Sequence, residues 1–395
     1  MTIPTLTPIF NAIDCPDGAD PNAGLIIDQA GNLYGTTQAG GMGGCSDDFQ
    51  APGCGTVFEV TTAGVEKALY SFCAQPNCTD GAVPLGGLIA DEKGNLFGTT
   101  VVGGEDTQGV IFKVSPHEKE TVLYYFQGHN VGDGASPQAG LIADAAGNFY
   151  STTQWGGDFN CNCGTVFKFT PSSGSETVLH DFVGNSDGYF PGSGLVMDEK
   201  GNLYGTTVYG GGSPNCSDQG CGMVFKVTPN GTETVLYAFQ GAPDGARPIA
   251  GLILYKGNLY GTTSQGGAAN AGTVFELSRQ GAETVLLSFN GDEGGSGPYG
   301  GVIADKHGTL YGTTYTGGAA NLGTVFKLAP DGKETVLHSF AGGGTGGTDG
   351  ALPGSGLIMD QNGDLYGTTV RGGTGSGANC PNNGGCGTVF EITNK

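Results

Sequence analysis

One seven-residue phrase is written seven times along this chain. GNLYGTT stands at 31–37, 201–207 and 257–263, GNLFGTT at 94–100, GNFYSTT at 147–153, GTLYGTT at 308–314 and GDLYGTT at 363–369. Self-similarity at near-constant spacing restricts the fold to architectures built by repetition. Each phrase lies inside a longer unit: G-L-I-x-D-x-x-G-N-L-Y-G-T-T-x-x-G-G, a variable loop, G-T-V-F-K-V, a short turn, then E-T-V-L-Y-S-F. Four short apolar or alternating runs separated by Gly, Asp, Asn and Pro predict four strands, A to D. In the first unit these are 24–27, 33–37, 55–60 and 66–72. Between A and B, Asp28 can bond its own backbone and Gly31 can take a positive φ, which makes a tight turn. No segment has a 3.6-residue apolar period, so the chain is predicted to be all-β.

Tandem four-stranded units predict a β-propeller. A solenoid would need distinct terminal caps, and the ends offer something else. The seventh unit stops after its strand C at 387–395, while residues 4–10, PTLTPIF, read as an unattached strand D. Phe10 falls in the series Phe72, Phe126, Phe182, Phe239, Phe289 and Phe340. The prediction is a seven-bladed β-propeller of four-stranded blades over 1–395, closed by the N-terminal strand completing the last blade. The closing strand is 1–10, and the blades are 24–72, 87–126, 140–182, 194–239, 251–289, 301–340 and 356–395. Pro4 and Pro8 lack amide donors, which an outermost strand tolerates. Tyr34, Phe97, Tyr150, Tyr204, Tyr260, Tyr311 and Tyr366 read as filler between blades. Gly35 and its equivalents read as room for a neighbouring blade, with Ser151 the exception.

The repeat resembles the Gloeobacter/Verrucomicrobia-type (GloVer) repeat of bacterial proteins along nearly the whole chain. The resemblance implies an extracellular or surface-anchored bacterial protein and offers no catalytic residue to carry over. The D-x-x-G-N-L-Y stretch is also similar to turns in NHL-type propellers, a fold-level analogy only.

Charge and cysteine content narrow the setting. The formal charge is −22, and Arg247, Arg279 and Arg371 are the sole arginines. Phosphate backbones call for clustered Lys and Arg, so neither nucleic acid nor an anionic membrane is an expected partner. No apolar run approaches the ~18 residues of a membrane span. The 11 cysteines suit an oxidising compartment. Secretion or a cell-surface location is expected, with any leader removed or replaced by Met1; a cytosolic protein with reduced thiols is the alternative.

Four cysteines, Cys54, Cys163, Cys221 and Cys386, directly precede the glycine that opens strand C. Cys45, Cys161, Cys216 and Cys380 lie just before them in the same B–C loops, and Cys73 and Cys78 share the link after blade 1. Local disulfides 45–54, 73–78, 216–221 and 380–386 are predicted. Cys161 and Cys163 are a further candidate pair, strained by their close spacing. Cys15 is left over, either free or available to another chain. Zinc is disfavoured because no C-x-x-C pair exists.

Asp17, Asp80, Asp133, Asp187, Asp244 and Asp349 recur in the D–A links, with Gly294 breaking the series. They could supply oxygens to Ca2+ or simply form Asx-turns, and no other cofactor is expected. The Asp28, Asp91, Asp144, Asp198, Asp305 and Asp360 set opens the A–B turns, and turn chemistry is its first reading. His180 and His338 replace Tyr or Leu in strand D, and no Ser/His/Asp set stands out.

In a propeller the D–A links and B–C loops share one face, and departures from the repeat gather there. Trp155, Tyr189, Phe190 and Tyr209 belong to the loops of neighbouring blades 3 and 4, and Arg247 follows in the next link. These five are the candidate ligand-binding residues. They suit stacking on sugar rings, or else they pack over the loops or against another protomer. The expected function is a non-catalytic extracellular propeller for binding, adhesion or self-assembly, through glycan or other copies of itself. The alternative is a polysaccharide-active lyase or glycoside hydrolase with its site at the top of the central channel.

Overall fold

The computed structural model describes residues 6–11, 17–42, 53–216, 219–342, 349–373 and 385–393. Seven antiparallel four-stranded sheets follow one another, as a seven-bladed β-propeller. Blade 1 contains strands Ile26–Ile27, Leu33–Thr37, Thr56–Val60 and Glu66–Ser71, hydrogen-bonded in that order. Among the described residues the helical elements are three short 3-10 turns. The last sheet takes its outer strand from the other end of the chain: Leu6–Asn11 pairs with Thr388–Ile392.

Strand A is shorter than the sequence suggests, two residues in six blades and three in blade 5. The reason lies at the ring's centre. The glycines that precede it crowd backbone to backbone: a Cβ on Gly140 would stand 2.8 Å from the Gly87 carbonyl oxygen.

The core is seven seams rather than one centre. Each described cluster joins two consecutive blades, such as Phe97, Ile111 and Phe126 of blade 2 with Leu141, Phe149 and Phe167 of blade 3. The last joins Val389 of blade 7 to Leu25, Leu33 and Phe58 of blade 1. Six seams contain the same edge-to-face pair. The phenylalanine ending strand D (Phe72, Phe126, Phe182, Phe239, Phe289 or Phe340) meets the strand C phenylalanine of the next blade, with centroids 4.9–5.3 Å apart. This is a preferred geometry for aromatic quadrupoles.

The repeated Thr-Thr explains itself here. The first threonine of each pair donates across the seam to a backbone carbonyl beside the next blade's strand A, at 2.9–3.3 Å in all seven cases. Thr368 closes the circle by donating to the Ala23 oxygen. The repeat's tyrosines do pack in the seams, Tyr204 beside Leu252 and Phe275 for example. The glycine after them serves a different purpose from the one expected. A Cβ on Gly98 would lie 2.6 Å from Phe112 and 3.0 Å from Leu88, both in its own blade. It makes room for the blade's own strands A and C, not for a neighbour.

In the A–B turns, Asp28 accepts from the Ala30 and Asn32 amides, the Asn32 side chain and the Tyr34 hydroxyl. That is turn chemistry. Partial burial works against its charge, yet these donors hold its pKa below the ordinary value.

Across the seams lies a set of paired acids. The D–A link aspartate accepts from a tyrosine of the preceding strand D, as Tyr70 donates to Asp80 at 2.7 Å and Tyr124 to Asp133 at 3.0 Å. His180 and His338 stand in for tyrosine, 3.3 Å from Asp187 and 3.2 Å from Asp349. Facing this aspartate is the glutamate that opens strand D of the following blade. Burial first, and then the facing carboxylate, pushes Glu66 and Glu176 up to about 8 and Glu120, Glu233 and Glu283 to about 7, from 4.5. Where Gly294 replaces the aspartate, its Cβ position lies 3.1 Å from Glu334 Oε1, and burial alone raises Glu334.

These shifts have a definite sign. The folded-state values exceed the unfolded one, so the folded protein holds protons that the unfolded chain releases. The stability they contribute is fully present below about pH 4.5 and falls as pH rises toward 8. The melting temperature is therefore expected to be higher at pH 5 than at pH 8, by calorimetry. Glu176→Gln should raise the pH 8 value and leave the pH 5 value unchanged. A melting temperature flat between these pH values would contradict this.

Candidate functional site

One face of the ring carries a rim built the same way in every blade. The D–A link runs antiparallel beside the segment after Thr-Thr, pairing Ala19 with Ala39, Ala82 with Val102, Ala135 with Trp155 and Tyr189 with Tyr209. Ala246 with Gln265, Ser296 with Thr316 and Ala351 with Arg371 complete the set. The second threonine secures the turn, as Thr153 donates to the Trp155 oxygen at 2.7 Å and Thr207 to the Tyr209 oxygen at 2.8 Å.

The next link residue, always followed by proline, is left-handed in every blade. Its φ is 55° at Asp20, 60° at Val83, 53° at Ser136, 60° at Phe190, 55° at Arg247, 60° at Gly297 and 58° at Leu352. For a residue with a Cβ this costs about 1–3 kcal/mol. Two hydrogen bonds impose it: Phe190 donates its amide to the Cys163 oxygen at 3.0 Å and accepts from the Val208 amide at 3.2 Å. The backbone is constant while the side chains are Asp, Val, Ser, Phe, Arg, Gly and Leu. The left-handed backbone does not dictate the side chain, so these positions are free to vary from blade to blade.

The five candidate residues meet on this rim. Trp155 stands edge-on to Phe190 with centroids 4.3 Å apart, Phe190 lies 5.4 Å from Tyr209, and Tyr189 stacks on Tyr209 at 5.2 Å and 21°. Arg247 Nη1 donates to the Tyr209 hydroxyl at 2.9 Å, with the guanidinium 4.9 Å from that ring's centre. Burial raises the Tyr189 pKa, Tyr209 adds to the rise, and Arg247 opposes it. The group is thus a continuous aromatic wall with one cation on its flank. Trp155 remains 38% exposed.

Two disulfides flank the wall. Cys161–Cys163 and Cys216–Cys221 are both formed, the first despite its close spacing. Each lies against a D–A link: Cβ positions on Gly184 and Gly241 would stand 3.2 and 3.0 Å from Cys161 and Cys216 sulfur. Cys73–Cys78 is formed as well. The sulfurs of Cys54, Cys73 and Cys78 lie within 4.8 Å of one another, but all three cysteines are oxidised, and zinc needs thiolates. Cys54 and Cys386 are disulfide-bonded; Cys45, Cys380 and Cys15 lie outside the described residues.

Sequence reasoning missed a second aromatic pair on the same rim. Tyr299 stacks on Tyr315 with centroids 4.6 Å apart at 12°. Tyr299 directly follows a link proline, a position whose importance becomes visible only when the seven links are aligned on that proline.

Comparisons with known proteins agree with this architecture. The Gloeobacter/Verrucomicrobia repeat matches residues 2–216 and again 214–395. No curated protein matches. Among solved structures, the extracellular domain of a one-component system from B. thetaiotaomicron is similar with a TM-score of 0.56 at 8% identity. The match covers 96% of this chain and 39% of that one. A chain of a nidogen/laminin complex gives 0.44 at 16% identity, covering 72% and 91%. A luciferin-regenerating enzyme gives 0.45 at 14%, covering 78% and 90%.

Proposed function

This chain belongs to the Gloeobacter/Verrucomicrobia repeat family, and we propose that it is a non-catalytic extracellular propeller that binds carbohydrate on its rim. The observation that carries this reading is the aromatic wall of Trp155, Phe190, Tyr209 and Tyr189, held on sequence-variable rim positions, with Phe190 in the left-handed conformation. The apolar C–H face of a sugar stacks on an aromatic ring, and its hydroxyls meet polar groups at the ring's edge. Arg247 and the tyrosine hydroxyls supply those groups. The formal charge of −22 repels polyanions, which favours a neutral glycan. The disulfides support export to an oxidising compartment.

Trp155→Ala is expected to weaken binding of a neutral oligosaccharide at least about tenfold, equivalent to roughly 1.4 kcal/mol, with the melting temperature unchanged. Titration calorimetry against xylohexaose, cellohexaose and mannohexaose tests this. Binding at wild-type strength by the variant would reject the reading.

A further inference from the structure

We propose that the rim carries a second glycan subsite, formed by Tyr299, Tyr315, Arg371 and Asp20, so that a long polysaccharide is held at two points. This rests on the carbohydrate reading above and adds a site to it.

Three observations converge. First, the pair is open. Tyr299 is 43% exposed and stacks on Tyr315. Blade 6 is the blade whose left-handed rim residue is glycine, and a Cβ on Gly297 would come 3.5 Å from Tyr299 Cε1. Blade 4 fills the same position with Phe190, which packs on its neighbours. In blade 6 the tyrosine beside it is left bare.

Second, the seams do not need these residues. The Tyr315 position holds Gln38, Val101, Gln154, Val208, Ser264 and Val370 in the other blades. Its amide donates to the Gly297 oxygen at 2.9 Å, as the equivalent amides do elsewhere on the rim. The backbone contact is generic, and the phenol ring is particular to this blade.

Third, a cation and an acid of the neighbouring blades lie beside the pair. Arg371 occupies the slot that supplies Trp155 and Tyr209 in blades 3 and 4, and it is one of three arginines in the chain. Its charge acts on both Tyr315 and Asp20. Arg371 Nε and Asp20 Oδ1 are buried with no hydrogen-bond partner among the described residues, while each side chain as a whole is half-buried and turns its remaining polar atoms toward the rim surface. A guanidinium donor and a carboxylate acceptor near one stacked aromatic pair suit neighbouring sugar hydroxyls, each of which can both donate and accept.

Two subsites on one face convert the second contact into an intramolecular event. Avidity gains from such linkage run from about 10² to 10⁴. The test uses xylan, hydroxyethyl cellulose and galactomannan, each beside its own tetrasaccharide, with wild type, Tyr315→Ala and Arg371→Gln. Wild type should bind one polymer about 100-fold more tightly than the matching tetrasaccharide. Tyr315→Ala should remove at least about tenfold of the polymer affinity, while the tetrasaccharide held at Trp155 still binds as before. Arg371→Gln, which removes the guanidinium and its charge but keeps the stem as far as Cδ, should act in the same direction and covers the case of a misfolded Tyr315 variant. Unchanged polymer affinity in both variants would overturn the second subsite and leave the first standing. Failure of wild type to bind any polymer or tetrasaccharide would overturn both.

Discussion

Removal of residues 1–10 is expected to lower the melting temperature by about 6 °C and to make the protein associate. Leu6–Asn11 is the outer strand of the last blade, running from Leu6 opposite Ile392 to Asn11 opposite Thr388. Without most of it, Thr388–Ile392 becomes an open edge. A ladder of this length, at about 1 kcal/mol net per hydrogen bond, contributes on the order of 5 kcal/mol. Unfolding entropy near 2.1 cal/mol/K per residue makes each kcal/mol worth about 1.2 °C in a chain of this size. An exposed edge also templates pairing with another chain, so size-exclusion chromatography should show oligomers. A truncated protein that stays monomeric and melts within about 2 °C of the full chain would show that the ring does not depend on this strand.

Phe126→Ala should damage a seam severely. Phe126 is fully buried and meets Phe167 of the next blade edge-to-face at 5.2 Å. Removing a buried phenylalanine ring costs about 3–5 kcal/mol, which by the same entropy is a fall of roughly 4–6 °C. Val131, 61% exposed, is the control, and Val131→Ala should leave the melt unchanged. Equal melting of the two variants, followed by calorimetry, would contradict the seam as the unit of stability.

The architecture was legible because repetition turns weak local signals into strong ones. One E-T-V-L-Y-S-F run could be many things. Six in register, with the chain's opening residues completing the series, specify a closed ring. The disulfides formed at 73–78 and 216–221 followed from loop position. The aromatic wall was legible too, since Trp155, Tyr189, Phe190 and Tyr209 depart from the repeat in adjacent blades.

What escaped the sequence depends on contacts between units. The first threonine of Thr-Thr looks like one more β-former until Thr206 is seen donating to Ala250 of the next blade. The Gly98 role was assigned to the wrong partner because periodicity cannot tell a blade's own phenylalanine from a neighbour's. The seam acids stand some forty residues apart, as Asp80 and Glu120 do, and only the ring brings them together. Tyr299 went unnoticed because its link lacks the aspartate that marks the others, and its partner Tyr315 lies in a different loop.

The central claim, that the rim wall takes up carbohydrate, has a built-in reporter. Trp155 is the sole tryptophan of the chain and stands at the exposed end of the wall. Its fluorescence should be followed while xylohexaose, cellohexaose and mannohexaose are titrated in turn. A saturable change in emission, shifted toward shorter wavelength as a sugar covers the indole, is the predicted result with at least one of them. Emission unchanged through saturating concentrations of all three would contradict the assignment of this face to glycan binding.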